Sequence, residues 1–305
     1  MSLDLKVWIE AARPKTLAAA VVPVLVGTAA AASDGRADLT AAVICLVFGL
    51  LVQVGTNFAN DYYDFVQGAD RADRVGPRRA VASGLIPPRV MRGAMIAVLA
   101  AAFLSGLVLL WHYAGGRSGL ADGRGWWLLA LGIVCIFCAV TYTGGPYPLG
   151  YNGLGDVFVF VFFGLVAVNT TYFVQAGGFG FDAVVASVAI GLLAANILVA
   201  NNYRDAETDA LAGKRTLVVR FGRRFAAVQY AASNGLAIAC PVALWLVSGR
   251  LGVLLPVLLA PWIWSLTRRL ARSREAREQI AILGGTAAAL AAFGLLLSAG
   301  FLLAR

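Results

Sequence analysis

Charged side chains are scarce in this chain. Asp, Glu, Lys and Arg make up 13% of its 305 residues, about half the share that clothes a soluble domain. So few charges cannot cover an aqueous surface, and the same shortage excludes a disordered chain, a coiled coil and a collagen. Histidine is nearly absent: His112 is the only one. It lies at the opposite end of an apolar run from the acidic motifs described below, so an interfacial role is expected for it and a histidine general base is set aside. The four cysteines, Cys45, Cys135, Cys138 and Cys240, all fall inside apolar runs, where a thiol behaves as a small hydrophobe. Cys135 and Cys138 form a C-x-x-C without a second pair or a neighbouring histidine. Neither a disulfide scaffold nor a zinc or redox motif is expected from them.

Apolar residues are what the chain has instead. They make up 60% of the sequence, with 34 glycines besides, and the mean hydropathy is +0.79. Spanning a bilayer takes about 20 largely apolar residues. Nine runs qualify or nearly so: 16–33, 39–60, 93–114, 126–143, 157–176, 183–201, 226–248, 251–267 and 280–304. None carries a formal charge in its interior. Residues 1–14 contain Asp4, Lys6, Glu10 and Arg13. They lack the apolar core of a cleavable signal peptide and read as an interfacial helix carrying Trp8. The expected fold is an all-α integral membrane protein, one domain over 1–305 built as a nine-helix bundle.

Basic residues are distributed unevenly about these runs. Counted on alternate sides, 20 of the 25 Lys and Arg lie on the side of the N-terminus and five on the other, Arg36, Arg117, Arg124, Arg250 and Arg305. This bias puts the N-terminus in the cytoplasm and the C-terminus outside. It also accounts for the pI of about 9.8 without nucleic acid. Membrane lipids, through their anionic headgroups, are the expected partners of the cytoplasmic arginines.

Acidic residues are fewer still, 16 in all, and seven of them sit in two cytoplasmic loops, at the ends of the second and sixth apolar runs. The text around them repeats. Asn60-Asp61-Tyr62-Tyr63-Asp64 reads against Asn201-Asn202-Tyr203-Arg204-Asp205 at a constant offset of 141, so the acidic motifs at 57–70 and 201–209 mark an internal duplication. On a helix Asn57, Asp61 and Asp64 share one face, as do Asn201, Asp205 and Asp209. Two carboxylate faces at the mouth of a bundle repel each other, and a cation is expected between them. Oxygen-only donors suit a hard ion such as Mg²⁺, which takes one or two carboxylates and leaves its other positions to water and phosphate. Simple pairing with the loop arginines Arg71, Arg74, Arg78 and Arg79 is the alternative. It suits a single Asp better than a doubled motif flanked by doubled basic clusters, which reads as a diphosphate site.

These residues resemble the UbiA superfamily of intramembrane aromatic prenyltransferases, and within it the branch that prenylates 1,4-dihydroxy-2-naphthoate in menaquinone synthesis. The matching stretches are Arg13-Pro-Lys-Thr-Leu17, Asn60 to Asp70 running on to Arg74-Val-Gly-Pro-Arg78, Gly153-Leu-Gly-Asp156, and Asn201 to Asp209 running on to Gly213-Lys-Arg-Thr-Leu217. Hydroxybenzoate members carry a Lys-Arg pair after a tyrosine in the loop following the fourth span. Here 142–151 has no charge, which favours the naphthoate branch over hydroxybenzoate or another ring acceptor. A transporter, the reading from another class, would place charge near the membrane midplane rather than at one rim.

The resemblance implies a cavity open to the cytoplasm and to lipid, in a multi-pass protein of the plasma (inner) membrane with no obligate protein partner. Mg²⁺ would be held by Asn60, Asp61, Asp64, Asn202, Asp205 and Asp209. The diphosphate of a polyprenyl donor would meet Asn57, Arg74, Arg78, Lys214 and Arg215. Catalysis would rest on Asp61, Asp64, Asp205, Asp209 and Tyr142, and the acceptor on Arg13, Lys15, Tyr147, Tyr151 and Asp156. Phe158, Phe160, Phe162 and Phe163 could line a prenyl tunnel or equally face lipid.

Overall fold

A computed structural model describes residues 4–70, 79–123 and 125–303, with Lys15 described by its backbone alone. Every regular element among them is helical: α1 (Leu5–Ala12), α2 (Pro14–Ser33), α3 (Leu39–Val66), α4 (Pro88–Ala114), α5 (Arg117–Ala121), α6 (Trp126–Thr141), α7 (Gly155–Val159), α8 (Ala167–Ala176), α9 (Phe181–Leu211), α10 (Leu217–Ser248), α11 (Ala260–Arg272) and α12 (Ala276–Leu303). A π-helical turn, Phe160–Val166, fuses α7 and α8 into one span, and a 3₁₀ stretch, Leu251–Leu259, leads into α11. Eight of the resulting helices are long and apolar enough to cross a membrane. The remaining expected span, α6, has 16 residues.

Helix ends follow local chemistry. Pro14 opens α2, where its missing N–H costs nothing. Asp38 caps α3 by accepting from the Ala41 N–H at 3.0 Å, and Thr216 caps α10 through Val219 at 3.3 Å. Gly222 breaks α10 near its start with φ +83° and ψ 169°, a conformation that other residues rarely adopt. Trp8 of α1 packs edge-on against Phe58 of α3 at 5.5 Å, which draws the expected interfacial helix onto the bundle.

The boundaries differ from the hydropathy reading where it matters most. α3 continues to Val66 and α9 to Leu211, so both acidic motifs are the closing turns of long helices rather than loops. The intrahelical hydrogen bonds outlast the apolar run, and the acidic side chains Asp61, Asp64 and Asp205 are buried there against donors rather than solvated. Each acidic helix packs on the helix that follows it, α3 on α4 and α9 on α10. The main core joins α2, α9 and α12 through Val22, Val26, Ile190, Leu193, Leu290 and Phe293.

Small residues let backbones touch, as in membrane bundles generally. A methyl added at Gly164 would lie 2.5 Å from the Gly191 Cα and 2.6 Å from the Ser187 carbonyl oxygen. Neither can move by changing rotamer. Gly164→Ala is therefore expected to cost about 1–3 kcal/mol, read as a lowered midpoint of thermal unfolding in detergent. An unchanged midpoint would show that the crossing is looser than described.

Candidate active site

A cavity of about 950 Å³ opens between the helices that carry the two acidic motifs. Its wall on α3 is a helical stripe: Cys45, Phe48, Gly49, Val52, Gln53, Thr56, Asn57, Asn60, Asp61 and Asp64, spaced by three and four residues. At 1.5 Å per residue the stripe runs about 28 Å, close to the hydrocarbon thickness of a bilayer. α6 supplies a parallel stripe from Leu128 through Gly132 and Cys135 to Ala139, with Tyr142 just beyond. Phe158, Phe162 and Phe163 line the cavity, and Phe158 and Phe162 stack with centroids 5.7 Å apart. The π turn brings Phe163, five residues on, to the face that Phe158 occupies. The cavity is thus apolar along its length and polar at one end.

The polar end is where the two acidic helices meet. Asp64, 2% exposed, accepts from Arg79 Nη2 at 2.9 Å, from Lys214 Nζ at 3.3 Å and from the Tyr151 hydroxyl. The same Lys214 ammonium lies 3.8 Å from Asp209 Oδ1. One cation therefore bridges a carboxylate of each acidic motif. Asp61 accepts the Ala80 and Val81 backbone N–H groups at 3.1 and 3.0 Å. It anchors the turn beyond Arg79 and retains further lone pairs toward the cavity. Asn60 accepts from the Thr143 hydroxyl. In the second motif Arg204 grips Asp205 with two bonds, at 2.7 and 2.6 Å, and reaches Asn201 at 2.9 Å.

The donors facing this end are Asn and Asp oxygens. No group of three or more His, Cys, Asp or Glu side chains with metal-binding geometry is present among the described residues; the carboxylates are instead held apart by internal cations. Charge balance still favours a hard cation. Five carboxylates line the cavity, Glu10, Asp61, Asp64, Asp205 and Asp209, against four cations, Arg13, Arg79, Arg204 and Lys214. A diphosphate added to that balance leaves a large negative excess, and oxygen donors in a buried site suit a divalent ion that offsets it.

Arg13 sits at the elbow between α1 and α2 with φ +53°, the one non-glycine residue of positive φ among the described residues. Asn57 latches this elbow by donating to the Ala12 carbonyl at 2.8 Å and to Thr16 at 3.1 Å. Tyr142 lines the cavity close to both motifs. Its phenol is pushed upward by burial and then by Asp156, Asp64 and Asp209, and Tyr151 is pushed upward by burial and by Asp64. Both rings stay neutral hydrogen-bond donors. The Lys214 ammonium also lies 4.5 Å from the Tyr151 centroid, so that ring already presents its face to a positive charge.

Other sequence-level candidates are not gathered here. Tyr147 is 58% exposed and lies off the cavity. Asp156 is buried, but its Oδ2 accepts from Gln229 of α10 at 3.1 Å; it lies inside α7 rather than capping it. Arg215 does not line the cavity, although its N–H donates to the Tyr151 carbonyl at 2.6 Å and so sets the loop that presents Lys214. Phe160 also lies outside the lining. Arg74, Arg78 and the Lys15 side chain lie outside the described residues. Sequence reasoning named Arg79 only as an alternative pairing partner of the carboxylates, which it is for Asp64, and did not single out Arg204. Arg79 is one of several arginines in its stretch, and Arg204 stands where the first motif has Tyr63.

Comparison with known proteins agrees with this architecture. The UbiA prenyltransferase family matches residues 20–284. A 1,4-dihydroxy-2-naphthoate octaprenyltransferase of Haemophilus influenzae is 39% identical over 241 residues, covering 78% of this chain and 77% of that protein. One from Mycobacterium tuberculosis is 44% identical over 215 residues, covering 70% of each. The fold matches that of a UbiA homolog from Archaeoglobus fulgidus bound to GPP and Mg²⁺, with a TM-score of 0.64 at 16% identity over 96% of this chain and 99% of that one. A cavity built from two facing acidic helices in a multi-pass membrane bundle, together with these matches, shows that the chain belongs to the UbiA prenyltransferase family and is a prenyltransferase.

Proposed function

We propose that the protein transfers a polyprenyl group from polyprenyl diphosphate to 1,4-dihydroxy-2-naphthoate, releasing diphosphate and CO₂ and yielding a demethylmenaquinol. The observation that carries this reading is the Lys214 ammonium held between Asp64 and Asp209 at the head of an apolar cavity as long as a bilayer is thick. The relatives named as 1,4-dihydroxy-2-naphthoate octaprenyltransferases support the choice of acceptor. Mg²⁺, when bound through Asn60, Asp61, Asp64, Asn202, Asp205 and Asp209, supplies positive charge that stabilises the leaving diphosphate.

The chain's own groups do the rest. Lys214 and Arg79 turn from their carboxylates to phosphate oxygens, with Arg74, Arg78, Arg215 and Asn57 as further candidate donors. The allylic C–O bond breaks with its electron pair on the diphosphate. The faces of Tyr142 and Tyr151 stabilise the positive charge on the prenyl carbon, and the apolar stripes keep out the water that would quench it. Arg13 is the candidate partner of the naphthoate carboxylate, with Lys15 beside it in the sequence; its left-handed backbone marks strain of the kind stored at functional sites. The electron-rich ring bonds to the prenyl carbon, and loss of the ring carboxylate as CO₂ restores aromaticity. Tyr147 and Asp156 support the acceptor only through neighbouring loops and helices in this reading.

The reading takes α6 as a ninth crossing, about 24 Å long at 1.5 Å per residue, short enough to need local thinning of the bilayer. It places the acidic end, with 20 of the 25 basic residues, at the cytoplasmic face of the plasma (inner) membrane.

The test is an assay of the purified protein with octaprenyl diphosphate and either 1,4-dihydroxy-2-naphthoate or 4-hydroxybenzoate, with Mg²⁺ or with EDTA. Naphthoate should be prenylated with release of CO₂, only in the presence of Mg²⁺. Turnover of hydroxybenzoate alone would reject the acceptor, and turnover in EDTA would reject the metal.

A further inference from the structure

A second concavity, of about 520 Å³, lies between α9, α10 and α11. Tyr203 is in its wall, while the next residues of the same helix, Arg204 and Asp205, line the main cavity. The groove is therefore on the rear face of the second acidic motif. Arg223, Arg224 and Arg268 point into it beside Val228 and Trp264. Arg223 sits 5.4 Å from the Tyr203 centroid and pairs with Glu207 at 3.0 Å. Arg268 sits 5.1 Å from the Trp264 centroid. Among the described residues neither Arg224 nor Arg268 has an ion-pair partner.

The surroundings narrow the ligand. Trp264 is 55% and Val228 63% exposed, so the cationic head of the groove continues into an apolar strip along two membrane helices. Arg223 and Arg224 follow the break at Gly222, and Arg268 lies one turn before the end of α11. The charge is thus at the end of the spans that carries the acidic motifs. A free phosphate would meet the arginines but leave the strip uncovered, and a zwitterionic headgroup brings no net charge to offset two unpaired guanidinium groups. We infer that this groove binds an anionic phospholipid, with the phosphate on Arg224 and Arg268 and an acyl chain along Val228 and Trp264, behind the helix turn that holds Asp205.

Native mass spectrometry of the purified full chain in detergent with added phosphatidylglycerol or phosphatidylcholine tests this. Each arginine at an anionic lipid surface contributes on the order of fivefold in affinity. Arg224→Gln/Arg268→Gln should thus retain phosphatidylglycerol about 30-fold more weakly, whereas Arg89→Gln/Arg92→Gln, which removes two charges at the start of α4, should retain it as the unmodified protein does. Equal loss in both variants would reduce the effect to general surface charge and overturn the inference. So would equal retention of phosphatidylcholine, or displacement of the lipid by inorganic phosphate or geranylgeranyl diphosphate. If the double variant melts early without lipid, Arg224→Gln alone decides the matter, since its side chain holds no other element in place.

Discussion

Asp64→Ala should lower kcat/KM for naphthoate prenylation by about 10²–10³-fold or more while leaving the fold intact. Asp64 is the point at which Arg79, Lys214 and Tyr151 converge, and it faces the cavity at the end where the diphosphate is proposed to sit. Its loss removes a carboxylate from the proposed metal site and frees two cations that would then hold the diphosphate too early and too tightly. The protein should still fold, at reduced stability because a buried ion-pair partner is lost, since Arg79 keeps Asp70 at 3.3 Å and Lys214 keeps Asp209 at 3.8 Å. Asp209→Ala should cost a similar factor. Since both carboxylates face the same Lys214 ammonium, the double variant should fall little below the worse single one. Steady-state kinetics across a Mg²⁺ titration measures this. Activity within threefold of the unmodified protein, or additive losses, would reject the shared site.

Gly132→Phe should alter donor choice rather than abolish chemistry. Gly132 lies ten residues before Tyr142 on the cavity stripe of α6, which places it about 15 Å along the cavity from that ring. A Cβ built there meets nothing within 4 Å, so a phenyl ring would cross open space that a long isoprenoid chain has to occupy. An octaprenyl donor should lose at least about tenfold in kcat/KM, the scale on which an apolar pocket rejects a misfit. Geranyl diphosphate, too short to reach so deep, should be used almost as before. Equal losses for both donors would show that the prenyl chain leaves the cavity before α6.

Much of the architecture was legible without coordinates. Apolar runs of bilayer length, charges at one end and a 141-residue repeat of an acidic motif follow from hydropathy and spacing, which are properties of a chain taken a few turns at a time. The convergence of the motifs was legible too, since repulsion between two carboxylate faces calls for a cation. That the cation among the described residues is the Lys214 ammonium was not. Its contact with Asp64 joins residues 150 apart in sequence, and no local pattern encodes such a pairing. The acidic motifs were read as loops because hydropathy falls where they begin. The helices continue because burial, rather than apolar composition, is what holds those turns.

Residues four apart divide in the same way. Tyr151 reaches Asp64 across 87 residues while Tyr147 stands exposed, although both sit in one uncharged loop with equal claims as acceptor contacts. Asp156 sits in a matching motif yet accepts from Gln229 of α10, a partner 73 residues away that the motif does not encode. The sequence alone determined the solvent this protein folds in, the end that carries its charge and the chemistry that end can support, because hydrophobicity and charge are carried by each residue wherever it goes. Only the tertiary structure decided which tyrosine, arginine and lysine own the cavity, because that depends on how distant helices pack and on which lone pairs their neighbours have already claimed.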